Sequence, residues 1–364
     1  MKTLALHPEL QLVGVMDRDQ ERADHFAAFH SLHRYGSLDE LLGDERVDIV
    51  LNLTNPKSHY EVSKAALTAG KHVYSEKPLA MDLIDARQLV ALAEEKGLSI
   101  SSAPCRLLSE TAQSIWRALR EERLGRVYLV YAELDDGFVS QTPYKKWFSE
   151  SGIPWPYKDE FEVGCTLEHA GYCLTWLVAY FGCATKVTAM ASSLVDDKNT
   201  GQPLDVASPD FSVACIEFES GVVARLTCSI IAPHDHSMRI IGDKGVLQIK
   251  DCWFYRMPVH IRRWVTIRRK TFLSPWKRRY PLASHNGTTM PRQGAAQMDF
   301  MRVVAELADS IREKRRSRLS PDFCLHITEL VLAIHNAQSE GVHTMTTRCD
   351  PVEPMPWASD KATA

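Results

Sequence analysis

Val47–His59 reads VDIVLNLTNPKSH and Lys71–Ala80 reads KHVYSEKPLA, and these two stretches decide the fold. Val47 to Leu53 is almost continuously apolar, as expected for a strand buried on both faces of a parallel sheet. Thr54-Asn55-Pro56-Lys57-Ser58-His59 then turns the chain into a helix expected to run to about Ala69, with Gly70 closing it. A short β-branched and aromatic strand follows and ends in Glu76-Lys77-Pro78. Asp82 caps the next helix, expected to reach Lys96 and stop at Gly97, and Leu98 to Ala103 reads as another strand. Strand, helix, strand, helix, strand at this spacing predicts a doubly wound α/β sheet. Its ligand should sit at the carboxyl ends of the strands, where Thr54, His59 and Lys77 fall. A lysine held there by a rigid proline, beside a carboxylate, is placed to act on a bound hydroxyl or carbonyl. By itself Glu-Lys-Pro is a weak signal, since such tripeptides also occur on solvated turns.

Upstream, Leu12 to Met16 (LVGVM) is expected to be a strand ending in Asp17, followed by a polar helix from about Gln20 to Phe29. An acidic residue there would accept hydrogen bonds from the adenosine ribose and favour NAD. Arg18 follows directly and could stack on adenine or pair with a 2′-phosphate, so NADP stays open. The first strand of such a sheet and its GxGxxG loop are not found, because Met1 to Leu6 resembles only the end of a first helix. In the 3-2-1-4-5-6 strand order the missing strand is central, and its loss would leave neighbouring backbone groups unpaired. Each such buried group costs roughly 1 to 3 kcal/mol against a total stability of about 5 to 15 kcal/mol. The expectation is a misplaced start or a fragment lacking on the order of 25 residues.

The order Asp17, LTNPKSH, SEKPLA, then a strand and Cys105-Arg106, resembles the Gfo/Idh/MocA family of nicotinamide-dependent oxidoreductases from Leu4 to about Asn336. The resemblance implies a Rossmann-like N-terminal domain, a C-terminal α/β domain with an open, mostly antiparallel sheet facing the cofactor, and a homo-oligomer. It makes Lys77 the family lysine, polarising or deprotonating a hydroxyl of a sugar, polyol or sugar derivative while hydride passes to or from NAD or NADP. Burial near a cationic nicotinamide would favour the neutral form of Lys77. Glu76 and Pro78 would belong to the cofactor pocket, with Thr54, Asn55 and His59 at the nicotinamide ribose end.

A second family landmark is Asp-x-Gly-x-His on a helix at the domain junction. Aligned on Gly171, His169 stands at the aspartate and Cys173 at the histidine, so the usual pair is not preserved. Residues 169 and 173 share a helical face, and His169 is therefore the expected acid/base, with Tyr172, Cys173 and Arg106 as substrate contacts. As a thiol, Cys173 suits packing better than nucleophilic attack. Two other readings remain open: an NAD-using lyase or glycosidase, and a non-catalytic sugar or dinucleotide sensor.

A length of 364 residues, 45% hydrophobic and 24% charged, fits two globular domains. The divisions expected are 1–104, 105–340 and a C-terminal tail, 341–364. No run of about 18 apolar residues and no signal-peptide layout is found, and nine scattered cysteines without a CxxC pair indicate reduced thiols in the cytoplasm.

In the second domain Arg126 to Leu134 alternates as a strand. A Pro- and Trp-rich excursion, Thr142 to Tyr157, then reads equally as a cover over the substrate or as a surface or oligomer loop. Strands are expected over Val187–Leu194, Phe211–Phe218, Val222–Ile230, Met238–Ile241 and Val246–Ile249, and helices over about Gln293–Glu313 and Pro321–Gln338. Arg312 to Arg318 reads as a solvated basic helix end. His234-Asp235-His236 could chelate, but no further ligands are visible in the sequence and no metal is expected. Cys252 to Met298 holds ten Lys or Arg and no Asp or Glu, interleaved with aromatics. That composition is compatible with a solvated strand-rich insertion, a phosphorylated substrate or a peripheral membrane contact, and less with nucleic acid.

Overall fold

The computed structural model describes residues 1–283, 298–339 and 341–359. A single turn of 3-10 helix at Leu4–Leu6 precedes α1 (Gln20–His30), whose N-terminus is closed by the Asp19 carboxylate accepting from the Arg22 N–H at 3.1 Å. After α2 (Leu38–Gly43) come β1 (Ile49–Asn52), α3 (His59–Thr68), β2 (His72–Ser75), α4 (Leu83–Lys96) and β3 (Ile100–Ser102). Asp82 caps α4 through the Asp85 N–H, and Gly97 ends it at φ 65°, a left-handed conformation that glycine adopts without cost. β1, β2 and β3 form a parallel sheet in that order, with Leu51 opposite Tyr74 and Ser75 opposite Ser102.

Leu12–Met16 is not a strand. Val15 makes one parallel bridge to Arg34, through Val15 N–H to His33 O and Tyr35 N–H to Val15 O, both 2.9 Å. One rung does not make a ladder, and among the described residues β1 pairs only with β2.

The second unit runs α5 (Glu110–Arg120), β4 (Val127–Asp135), α6 (Tyr157–Val163), α7 (Cys165–Phe181), β5 (Ala184–Ser192), β6 (Phe211–Phe218), β7 (Val223–Ser229), β8 (Met238–Gly242) and β9 (Gly245–Ile249). It continues with β10 (Val259–Ile267), β11 (Lys270–Leu273), β12 (Arg278–Tyr280), α8 (Arg302–Arg312), α9 (Pro321–His335), β13 (Val342–Thr344) and α10 (Pro356–Ser359). The sheet order is β11-β10-β9-β8-β4-β7-β6-β5-β13, with β12 also on β10; β4 and β7 are parallel and the other pairs antiparallel. Alternation of buried and open residues, as in β6, covers one face of this sheet with α7 and α9. α9 also packs on α4 and β3, so one helix joins the two sheets.

Two further expectations change. The helix expected from Gln293 begins at Arg302; residues 298–301 are not helical and Gln293 itself lies outside the described residues. The stretch after residue 340 is built into the sheet: Val342–Thr344 pairs with β5, and the Glu329 carboxylate on α9 accepts from the N–H and hydroxyl groups of Thr346 and Thr347. The Thr142–Tyr157 excursion folds on itself, with buried Tyr144 against Trp155, Tyr157 and Phe161 at ring-centroid distances of 6.0, 5.0 and 5.2 Å. That aromatic cluster anchors α6, which then reaches the loop after β1: Asn55 Nδ2 donates to Asp159 at 2.7 Å and Lys57 pairs with Glu162 at 2.8 Å.

Candidate active site

The loops after β1, β2 and β3 converge at their carboxyl ends. Lys77–Leu79 and Ser102–Pro104 from the last two loops line one small cavity together with Leu167, Gly171 and Thr175. His59 is fully buried between the first two, its Nδ1 2.7 Å from Pro78 O and its Nε2 2.9 Å from Thr54 O. Burial pushes its pKa down, so the ring is neutral and donates to one carbonyl at a time. His59 is thus a strut that fixes the Lys77 loop, not a residue lining the cofactor cleft. Thr54 Oγ1 donates to Asn52 Oδ1 at 2.7 Å and stays at the surface, beside Leu53, which is 64% exposed. Glu76 accepts from the Lys77 N–H at 3.2 Å.

α7 supplies the opposite wall. Gly164 opens it at φ 83°, where a Cβ would lie 2.7 Å from Ser208 Cβ and 2.9 Å from Pro209 O. Gly171 lets the helix lie against Pro104, a Cβ there meeting Pro104 Cδ at 3.2 Å. Glu168, Gly171, Tyr172 and Thr175 share that face. The result corrects the sequence register: Glu168, not His169, forms the ion pair with Lys77 Nζ. Reading the family landmark one residue earlier puts Glu168 at the acid, Ala170 at the glycine and Tyr172 at the histidine. Gly171 serves the close approach of Pro104 rather than that pattern.

His169, about 100° around the helix from Glu168, turns instead to Asp136, with Nε2 to Oδ2 at 2.8 Å. Cys173 is fully buried with its Sγ 3.6 Å from that of Cys252, so it packs in the core and does not face substrate. Tyr172 does belong to the pocket. Arg106, 2% exposed, is sandwiched with its guanidinium carbon 4.0 Å from the Tyr172 ring and 3.9 Å from the Trp253 ring. Its Nε donates to Trp253 O at 2.8 Å, while Nη1 has no protein partner.

The charges explain one another. Burial alone would lower the pKa of Lys77, but Glu168, with Tyr172, Glu160 and Glu76 adding to it, outweighs this and raises it. This reverses the expectation of a neutral Lys77; in the protein by itself it is an ammonium. Burial would raise Glu168, and Lys77 holds it low; burial and the adjoining Glu168 both push Glu160 up. The site is therefore Lys77⁺ and Glu168⁻ with a protonated Glu160 hydrogen-bonded beside them. Burial raises the pKa of Tyr172 by more than Arg106 and Lys77 lower it, so it stands as a protonated phenol between two cations.

Glu160 and Glu168 were not singled out from the sequence. The available signal was the carboxylate immediately before His169, one residue out of the assumed register. Asp17 lies beyond the single rung at Val15, accepting from the Asp19 N–H at 2.9 Å with Arg22 3.6 Å away; Arg18 is exposed.

A parallel α/β unit with a cationic lysine at its strand ends, faced by a helix and an open sheet, defines a two-domain dinucleotide-dependent oxidoreductase architecture. Residues 1–103 match the family described as "Oxidoreductase family, NAD-binding Rossmann fold" and residues 112–248 match the "GFO/IDH/MocA C-terminal domain". The chain belongs to the Gfo/Idh/MocA oxidoreductase family. It is 27% identical over 249 residues to trans-1,2-dihydrobenzene-1,2-diol dehydrogenase of Sus scrofa, covering 67% of this chain and 68% of that one, and 26% identical over 240 residues to the Danio rerio enzyme of the same name, covering 66% of each. The fold is shared with aldose-aldose oxidoreductase from Caulobacter crescentus complexed with glycerol (TM-score 0.72, 18% identity, 95% of each chain). It is shared also with the WlbA dehydrogenase from Bordetella pertussis in complex with NADH and UDP-GlcNAcA (TM-score 0.69, 18% identity, 94% of each chain).

Proposed function

We propose that this protein transfers hydride between NAD(H) or NADP(H) and a hydroxyl or carbonyl carbon of a diol, sugar or sugar derivative, with Lys77 and Tyr172 handling the proton. The observation that carries the reading is the Lys77–Glu168 pair, set at the carboxyl ends of β1 to β3 with Tyr172 and Arg106 on the facing wall. At the strand ends Leu53 offers exposed apolar surface and Thr54 an exposed hydroxyl after β1, and Glu76 follows β2; these residues would hold a nicotinamide, and Asp17 would accept from a ribose. When bound, the nicotinamide supplies the hydride donor or acceptor. Lys77 Nζ, fixed as an ammonium by Glu168, polarises the substrate oxygen; in the reducing direction the phenol of Tyr172, between Lys77 and Arg106, gives that oxygen its proton, and the phenolate takes it back in the reverse step. Glu168 is a positioning residue, and Arg106, stacked between Tyr172 and Trp253, adds positive charge to the same wall. Asp17 supports NAD over NADP.

We also place the protein in the cytoplasm as a homo-oligomer. Nine free cysteines support the reducing compartment, and the exposed Tyr128 and Leu129 of β4 and Met190 of β5 support contact through the sheet. The test is to titrate the protein with NADH and NADPH, then screen vicinal diols, aldoses and nucleotide sugars by absorbance of the reduced cofactor. Saturable binding and turnover of at least one class is expected. Failure to bind either cofactor overturns the reading.

A further inference from the structure

A second polar cluster lies behind Trp253, away from Lys77. Asp136, just past the end of β4, and His234 and His236, just before β8, bring one ligand atom each to within 4.8 Å of one another. We propose that Asp136 Oδ1, His236 Nε2 and His234 Nδ1 form a binding site for a divalent transition-metal ion of the zinc and cobalt class, with the fourth position open.

Four observations carry this. His236 is 3% exposed, and neither of its ring nitrogens makes a hydrogen bond, although Nε2 lies 2.7 Å from Asp136 Oδ1; the approach lacks the in-plane direction an N–H bond requires. Both nitrogens of this buried ring are thus left without a hydrogen-bond partner beside Asp136 and His234. His234 Nδ1 lies 3.9 Å from the same oxygen. Ligand atoms at about 2.0 to 2.2 Å from a tetrahedral zinc stand roughly 3.3 to 3.5 Å apart, between these two separations, so small side-chain rotations close the shell.

The supporting carboxylate is also present. Asp251 faces the far nitrogen of each ring, 3.7 Å from His236 Nδ1 and 3.8 Å from His234 Nε2. A carboxylate behind a ligating imidazole fixes its tautomer. His169 holds the other oxygen of Asp136 at 2.8 Å, leaving Oδ1 for the ion. His-x-His was visible in the sequence, but Asp136 lies about a hundred residues away and joins only through the pairing of Asp135 with Asp235.

The site adjoins the substrate wall. Trp253 stacks on His236 at 5.2 Å and on Arg106 at 3.9 Å, so a single indole ring separates the site from Arg106.

The test reads binding without turnover, so it stands or falls independently of the oxidoreductase reading. Chelator-treated full-length protein is titrated with Co(II) and followed by visible absorption, and separately dialysed against Zn(II) at about 100 µM with metal counted by mass spectrometry. About one equivalent of each ion is expected, with ligand-field bands of a four- or five-coordinate site and no thiolate charge-transfer band. His234 is 59% exposed, so His234→Ala should fold with an unchanged Tm and bind at least tenfold more weakly; Asp136→Asn should weaken binding similarly. No stoichiometric binding, a cobalt–thiolate spectrum, or equal affinity in His234→Ala overturns the proposal.

Discussion

Replacing Glu168 with Gln removes the counter-charge of Lys77 while keeping the shape of the site. With charge centres about 4 Å apart and an effective dielectric near 20, the pair is worth about 4 kcal/mol, or roughly three pH units in the pKa of Lys77. Desolvation, which already opposes the charge, is then unbalanced, and Lys77 falls from above its ordinary value to below it. One neighbour limits the effect. Glu160 is raised by burial and by Glu168; once Glu168 is neutral it can ionise and take over as partner. The single variant should therefore lower Lys77 by only about one to two units, and Glu160→Gln with Glu168→Gln by about three. Competitive labelling of amines with acetic anhydride across pH 8 to 12, read by mass spectrometry on the peptide holding Lys77, shows the shift as increased labelling at each pH and needs no substrate. Equal shifts in the single and double variants would refute the compensating role of Glu160. No shift in either would refute the pair.

Glu329 predicts an acid limit to stability. Burial opposes its charge, but hydrogen bonds from Thr346, Thr347 and His343 hold its pKa at about 2 against an ordinary 4.5, worth about 3 kcal/mol. A carboxyl lowered by folding stabilises above its unfolded pKa, so this contribution is complete above about pH 4.5 and lost as pH falls toward 2. Glu329→Gln should lose most of it at neutral pH and show a flatter acid limb in urea unfolding; an unchanged midpoint would contradict the clamp. His59→Ala deletes the strut between Pro78 O and Thr54 O, and should cost at least about 2 kcal/mol and misplace Lys77. Near-wild-type stability in thermal unfolding would show that the loops hold themselves. Gly164→Ala, strained at φ 83° and closed by Ser208 and Pro209, should lower Tm by several degrees in calorimetry.

Local signals were readable wherever one segment sets its own structure. Asp82 and Gly97 bound α4, and Phe211–Phe218 alternates along its whole length as β6. The sequence was silent where distant residues decide. Leu12–Met16 has strand composition, but strand length depends on pairing, and only Val15 finds a partner. Lys77 was legible because proline and the strand end announce it. Its partner was not, since one residue of register on α7 separates Glu168 from His169, and that register is set by contact between Gly171 and Pro104. Asp136 and Glu160 were invisible for the same reason: each is an ordinary carboxylate until the fold brings it to a histidine or a lysine.

The central claim is that Lys77 acts at a nicotinamide site. The most direct measurement is single-turnover hydride transfer by wild type and Lys77→Met, with NADH affinity measured in parallel by energy transfer from tryptophan. A fall in transfer of about 10² to 10⁴-fold, with NADH affinity changed less than about threefold, is the predicted result. Transfer at the wild-type rate in Lys77→Met would contradict it.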